Sequence, residues 1–196
     1  MNSYDKIADS WHNFRKNTTI NKCVQEFCEY LPSGANILDA GCGTGYPIDD
    51  FLVKKGYCVT GIDPSEKMLE KAKELRLDNA KFLTSDFLNF DSSSLFDAVI
   101  AFDSLWYIPL KSQPKIYKKA ENLLKKGGYF MFTHGRTNGE IYGEMFEENF
   151  RYAALDLDTV IKLLRENGFE TLRIETDYKE ITTGTRDLLV FARKVR

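Results

Sequence analysis

The sequence predicts an α/β fold: one doubly wound, mostly parallel seven-stranded sheet with helices on both faces and a C-terminal antiparallel hairpin. Three observations predict it. Short apolar runs alternate with amphipathic segments of helical period. The first run, Ile37-Leu38, ends in Asp39 and a stretch with three alternating glycines, Gly41-Cys42-Gly43-Thr44-Gly45, which reads as a strand, a tight turn and a helix start. The last two apolar runs have no helical segment between them, so they form a hairpin.

Taken in order, Ile20, Val24, Phe27, Cys28 and Leu31 recur at helical spacing, and Pro32-Ser33-Gly34 stops that helix. The first strand covers about 36–40. A helix follows through Phe51 and Leu52 to Lys55, and Gly56 ends it. Tyr57 to Ile62 is the second strand, closing on Asp63. Pro64 favours a helix start, with Met68, Leu69, Ala72 and Leu75 as its buried stripe. The third strand is Ala80 to Thr84, near Asp86, and the fourth runs from Phe96 to Phe102. A helix beginning near Ser112 packs Ile116, Ala120, Leu123 and Leu124 until Gly127-Gly128 break it. Tyr129 to Thr133 is the fifth strand. Leu157, Val160, Ile161 and Leu164 mark the last helix, closed by Gly168. Strands near Leu172 to Thr176 and Asp187 to Ala192 finish the chain, joined by a turn around Thr182-Thr183-Gly184. The stretch from Gly135 to Leu155 reads as irregular, and a loop of that length suggests a lid or binding element.

Composition sets limits. The chain has 196 residues, 43% hydrophobic and 29% charged, and a net charge of −2. That balance fits one globular domain over 1–196. It carries no electrostatic footprint for nucleic acid or anionic membrane. Met1 to Lys6 is polar and lacks the apolar core of a signal peptide, and no apolar run reaches the roughly 20 residues that span a bilayer. Cys23, Cys28, Cys42 and Cys58 form no CxxC pair and no metal-ligand grouping. They read as reduced thiols of a cytoplasmic protein, and no metal site is expected. Glycines after a strand let a ligand approach the backbone, and the amides opening the next helix face it as unpaired donors. A small polar, nucleotide-like ligand is therefore expected at the carboxyl end of the first strand.

Asp39-Ala40-Gly41-Cys42-Gly43-Thr44-Gly45 resembles the glycine-rich motif of class I S-adenosylmethionine-dependent methyltransferases, and small-molecule members in particular. The resemblance continues at Gly61-Ile62-Asp63-Pro64-Ser65, Ser85-Asp86-Phe87, Phe96-Asp97-Ala98-Val99, Leu124-Lys125-Lys126-Gly127-Gly128 and Gly168-Phe169. It covers about 20–192. It implies S-adenosyl-L-methionine as cofactor and a cofactor site built from Asp39, Gly41, Cys42, Gly43, Asp63, Pro64, Met68, Asp86, Phe87 and Phe102. In that site Asp39 and the Gly41–Gly43 amides hold the methionine end. Asp63 accepts from the ribose diol, as acids some 20 residues past such glycines do. Asp86 accepts from the adenine amino group, with the Phe87 amide at a ring nitrogen. Met68 or a neighbour packs on the adenine face. Taken singly, Asp63 is equally a helix N-cap and Asp86 a surface acid.

The resemblance further implies methyl transfer to a small-molecule acceptor by in-line displacement, catalysed mainly by proximity and orientation. The segment 1–18 becomes an arm or lid and 135–155 an insertion over the acceptor site. Tyr4, Trp11, Trp106, Tyr107 and His134 are candidates for the substrate pocket, or else for ordinary packing. Trp106 and Tyr107 suit an apolar acceptor or a cationic amine. Catalytic candidates are His134 as base and Asp103 as an orienting acid, against an ordinary hydrogen-bonded histidine and a loop acid. Two other readings stand beside this one. A sensor or accessory protein that binds S-adenosylmethionine or S-adenosylhomocysteine without transfer needs the same landmarks. An NAD-dependent dehydrogenase would space its glycines GxGxxG, whereas here Tyr46 holds the last glycine position. Neither the acceptor atom nor the oligomeric state is legible in the chain.

Overall fold

The computed structural model describes residues 3–180 and 184–196. Thr182 and Thr183, part of the expected closing turn, lie outside the described residues. The elements in chain order are α1 (Ser3–Arg15), α2 (Lys22–Phe27), β1 (Asn36–Ala40), α3 (Ile48–Lys54), β2 (Cys58–Asp63), α4 (Glu66–Glu74), β3 (Ala80–Thr84) and β4 (Phe96–Ala101). They continue with α5 (Pro114–Leu123), β5 (Leu124–His134), β6 (Gly139–Met145), β7 (Glu148–Ala154), α6 (Leu157–Glu166), β8 (Phe169–Glu180) and β9 (Gly184–Lys194). Short 3-10 turns sit at Cys28–Tyr30, Leu105–Tyr107 and Leu110–Ser112.

Seven strands form one sheet in the order β3-β2-β1-β4-β5-β9-β8. The first five are mutually parallel, and β9 runs antiparallel to both β5 and β8. Alternation along each strand divides the core. Leu38, Val99, Ala101, Phe130 and Val190 face α5 and α6. Ile37, Ala98, Ile100, Met131 and Phe191 face α2 and α3. Strands buried on both faces read as continuous apolar runs, which is why their positions are visible in the sequence. Strand order reverses between β1 and β4, and a crevice opens beyond their carboxyl ends.

Three expectations need correction. The insertion is not irregular: β6 and β7 pair as an antiparallel hairpin from Gly139↔Ala154 to Met145↔Glu148. Its turn places Phe146 and Glu147 at φ +51° and +65°. Such turns ordinarily announce themselves with Asn-Gly, and Phe-Glu gives no such cue. The N-terminal arm is a helix, α1, with Ile7 and Ala8 buried. Finally, β5 begins at Leu124, ahead of Gly127-Gly128 rather than after them. Gly127 adopts φ +80°, and the β4–β5 register shifts between Phe96 and Ala98, so the glycines shape an irregular strand start.

Candidate active site

The glycine-rich turn after β1 is held by contacts that only glycine allows. Gly41 has φ +88°, and a Cβ there would lie 2.3 Å from Ser104 Cβ. Ser104 follows β4, and its hydroxyl donates to Ala40 O at 2.6 Å, tying the ends of β1 and β4 together at the order reversal. The turn's amides are not open donors. Gly41 and Cys42 N–H both donate to Ile62 O, at 2.8 and 3.0 Å. Gly43 N–H donates to Asp63 Oδ2 at 3.0 Å. The expectation that these amides stand free for a ligand is corrected accordingly.

Asp63 ends β2. Its other oxygen accepts from Ser65 N–H at 2.8 Å. Ser65, not Asp63, caps α4, accepting from Met68 N–H. Burial pushes the Asp63 carboxyl up to about 6, against the pull of its two amide donors. Asp86 follows β3 and accepts from the Asn89 backbone and side-chain amides at 3.0 and 2.7 Å.

These elements line a cavity of about 790 Å³, within the range of small-ligand pockets. Of the residues expected at the cofactor, it gathers Asp39, Gly41, Cys42, Gly43, Asp63, Pro64, Asp86, Phe87 and Phe102. Tyr4, Trp11, Tyr107 and Asp103 also line it. Cys42 is buried and its thiol is pushed well up by burial, so it is an inert wall atom rather than a nucleophile.

A roof of two pieces closes the cavity. α1 packs on α4 and on β7 through Ile7, Ala8, Met68 and Phe150, with Tyr4, Trp11, Tyr107 and Tyr152 at the edge of the cluster. The Tyr4 and Tyr107 hydroxyls meet at 2.5 Å. Lys6 reaches Glu148 at 2.9 Å, and Asp5 accepts from the Ser65 hydroxyl at 2.6 Å. Gln113 donates to Ala153 O at 2.6 Å and holds the far end of β7. The Trp11 indole lies over Gly43, 3.4 Å from where a Cβ would sit.

Four expected site residues are placed differently. Met68 is fully buried beneath α1 and does not line the cavity. Asp103 lines it, but its carboxylate is engaged: Arg186 Nε donates at 2.7 Å, the Arg186 Nη2 pairs with the second oxygen, and Thr133 donates at 3.0 Å. Both of its oxygens are thus occupied by the protein's own donors. His134 is fully buried and stands in the wall of a second cavity of about 620 Å³, together with Trp106, Ile141, Tyr152 and Arg186. Its Nδ1 lies 2.6 Å from Gly135 O, which can only accept, so Nδ1 carries the hydrogen. Burial lowers the His134 pKa, keeping the ring neutral. Trp106 lines the second cavity rather than the first.

The residue that sequence reasoning missed is Arg15. It ends α1, is only 5% exposed, and lines the main cavity. Its Nε donates to Tyr46 O at 3.4 Å, and its guanidinium lies 5.6 Å from the Trp11 ring centroid. No carboxylate pairs with it among the described residues. Burial lowers its pKa, yet an arginine at neutral pH stays charged. The cue was present: Tyr4, Ile7, Ala8, Trp11 and Arg15 fall at helical spacing, which puts Arg15 on the face that α1 buries. Among the described residues no cluster of His, Cys, Asp or Glu could hold a metal ion. No helix among them is long and apolar enough to cross a membrane.

The model of the methyltransferase-domain family matches residues 31–185. The chain belongs to this family. A putative methyltransferase of Geobacillus sp. strain WCH70 is 34% identical over 140 residues, which is 66% of this chain and 53% of that relative. The chain thus spans about half the length of that relative. An S-adenosylmethionine-dependent methyltransferase from Clostridium acetobutylicum superposes with a TM-score of 0.73 at 20% identity, covering 100% of both chains. The Burkholderia thailandensis 1,6-didemethyltoxoflavin N1-methyltransferase, solved with that molecule and S-adenosylhomocysteine, gives 0.72 at 20% identity, covering 99% of this chain and 84% of the other. The fold is that of these S-adenosylmethionine-dependent methyltransferases.

Proposed function

We propose that this methyltransferase transfers the methyl group of S-adenosylmethionine to a small-molecule acceptor inside the 790 Å³ cavity. One observation carries the reading. Besides Asp103, which Arg186 holds, a single cavity presents three acids, at the ends of three adjacent strands, and one buried guanidinium with no carboxylate of its own among the described residues. That donor set matches a zwitterionic amino acid joined to an adenosine. Arg15 suits the carboxylate, Asp39 the ammonium, Asp63 the ribose diol, and Asp86 with Phe87 the adenine. A pyrophosphate would find two buried carboxylates, Asp39 and Asp63, in its place, which argues against a dinucleotide. When bound, the cofactor supplies a methyl group on a sulfonium as the electrophile.

The chain's own part is orientation and exclusion of water. Well-aligned reactants gain on the order of 7–11 kcal/mol over free encounter. The α1 and β6–β7 roof serves as the lid over the acceptor, within one domain. The acceptor attacks without a protein base, since His134 lies outside the cavity and Asp103 is bound to Arg186. A small acceptor fits this enclosure better than a macromolecule does, and the Burkholderia structure with bound 1,6-didemethyltoxoflavin offers a precedent. Four free cysteines support a reducing, cytoplasmic location.

The test is a calorimetric titration with S-adenosylhomocysteine and with NADH, followed by a metabolite screen that detects S-adenosylhomocysteine production. Micromolar S-adenosylhomocysteine binding and turnover of one acceptor are expected. NADH binding in its place would overturn the cofactor assignment. Cofactor binding with no turnover across oxygen, nitrogen, carbon and sulfur nucleophiles would make the protein a binding module.

A further inference from the structure

Beneath the glycine turn lies a pair of carboxyls that makes no ion pair among the described residues. Asp39 is 2% exposed and lines the cavity, while Asp49, on the first turn of α3, is fully buried and does not. Neither Asp49 oxygen finds a hydrogen-bond donor among the described residues. The Asp39 carboxyl lies within hydrogen-bonding reach of it, and the Cys42 thiol also faces it. Two carboxyls can share a hydrogen bond only if one of them keeps its proton. The wetter member, facing the ligand, is Asp39, so the proton belongs on Asp49.

We propose that Asp49 works as an un-ionised carboxylic acid, donating to Asp39 and so holding one negative charge, correctly aimed, for the cofactor's ammonium. This rests on the assignment of Asp39 to the ammonium. Other charged groups bear on the pair. Asp63 on β2 and Arg15 on α1 act on Asp39, and Cys42 in the turn faces Asp49. Burial pushes the Asp39 carboxyl up to about 7, and the Asp49 hydrogen bond pulls it back down. Asp49 itself is held well above the carboxylate range by burial and then by Asp39. The charge on Asp39 is therefore present above neutrality and lost on acidification. Asp49 is a positioning residue, acting on the ligand only through Asp39.

The test uses S-adenosylhomocysteine, titrated calorimetrically from pH 5.5 to 8.5 into wild type, Asp49→Asn and Asp49→Ala. Asparagine is the neutral isostere and keeps an N–H donor; alanine keeps none. Wild type and Asp49→Asn are expected to agree within about threefold and to weaken together below pH 7, whereas Asp49→Ala binds about tenfold more weakly at pH 7.5, the scale of one lost charge-assisted hydrogen bond. Carbonyl carbon NMR of aspartate-labelled free protein is expected to show one protonated carboxyl at pH 7.5 that is missing in Asp49→Asn. An ionised Asp49 in that spectrum overturns the proposal. So does an Asp49→Asn that binds as poorly as Asp49→Ala. If no variant and no wild type binds S-adenosylhomocysteine while the protonated carboxyl is present, the cofactor assignment fails instead.

Discussion

At the scale of single residues, Arg15 makes the sharpest claim. A buried guanidinium without an anion lowers the stability of the free protein, and a ligand carboxylate relieves that cost. Arg15→Leu is therefore expected to raise the melting temperature of the free protein while weakening S-adenosylhomocysteine binding roughly 10- to 100-fold, as for a charged hydrogen bond lost. Thermal melts and calorimetry on the same samples check both signs, and a variant that binds normally removes Arg15 from the site. His134→Gln addresses the base. Because the ring lies outside the main cavity, neutral and bonded to Gly135, kcat is expected to stay within about threefold and the pH–rate profile to keep its shape. A lost basic limb in that profile would return His134 to the chemistry. The acids Asp39, Asp63 and Asp86 were legible because each ends a strand at a fixed distance from the glycines. His134 and Asp103 were not, because strand position alone cannot say which of two cavities a side chain enters, nor that an arginine 83 residues away in sequence will take a carboxylate.

At the scale of elements, the glycine turn and the roof behave differently. The turn is tightly packed because Ser104 fills the space that a side chain on Gly41 would need. Gly41→Ala combines an unfavourable positive φ with a steric overlap, together about 2–4 kcal/mol of lost stability. In a Ser104→Gly background, which itself loses the hydrogen bond to Ala40 O, Gly41→Ala is expected to cost about half as much in denaturant titrations, because the overlap is gone and the backbone part remains. No cost in that background would mean that φ contributes nothing. The roof rests on fewer buried apolar contacts, and amides of α1 are expected to exchange with deuterium well before those of β1. S-adenosylhomocysteine is expected to slow exchange in α1 and β7. The helices and parallel strands could be read from periodicity because both faces of the sheet are covered. The β6–β7 hairpin escaped because its turn residues are Phe146 and Glu147, and α1 because aromatic residues suggested an arm rather than a packed face.

For the whole molecule, buried acids set the pH response. Asp39 and Asp63 have folded pKa values of about 7 and about 6, above the roughly 3.9 of an unfolded aspartate, and Asp49 is raised further. Between pH 4 and 7 the folded chain thus holds more protons than the unfolded one. These groups make stability fall as pH rises through that window. His12 and His134 oppose the trend, since burial depresses both and their contribution grows as pH climbs toward 6.5. Asp49→Asn is expected to flatten the decline and raise the melting temperature at pH 8. A variant with an unchanged pH–stability curve would show that Asp49 ionises normally. Parallel pairing and the closing hairpin were implied by the connections once the elements were placed, whereas the strand order came from the structure. Where the two cavities divide was not implied either, since that depends on a three-residue turn at Leu105–Tyr107 which sends Trp106 to one side and Tyr107 to the other.

The clasp between Lys6 and Glu148 joins positions 142 residues apart. On the ribosome, α1 emerges before its partners Tyr46, Ser65, Tyr107 and Glu148, which follow in that order. At roughly 5–20 residues per second, the helix waits on the order of ten to thirty seconds for its last support. The nascent chain can build β1 and the glycine turn before the enclosure above them, which is completed only once β7 has emerged. A truncated product that stops before β7 would carry every sequence landmark from Asp39 to Gly128 and still leave Lys6 without its counterpart. In this protein the motif is made early, and the chamber that gives it a use is made late.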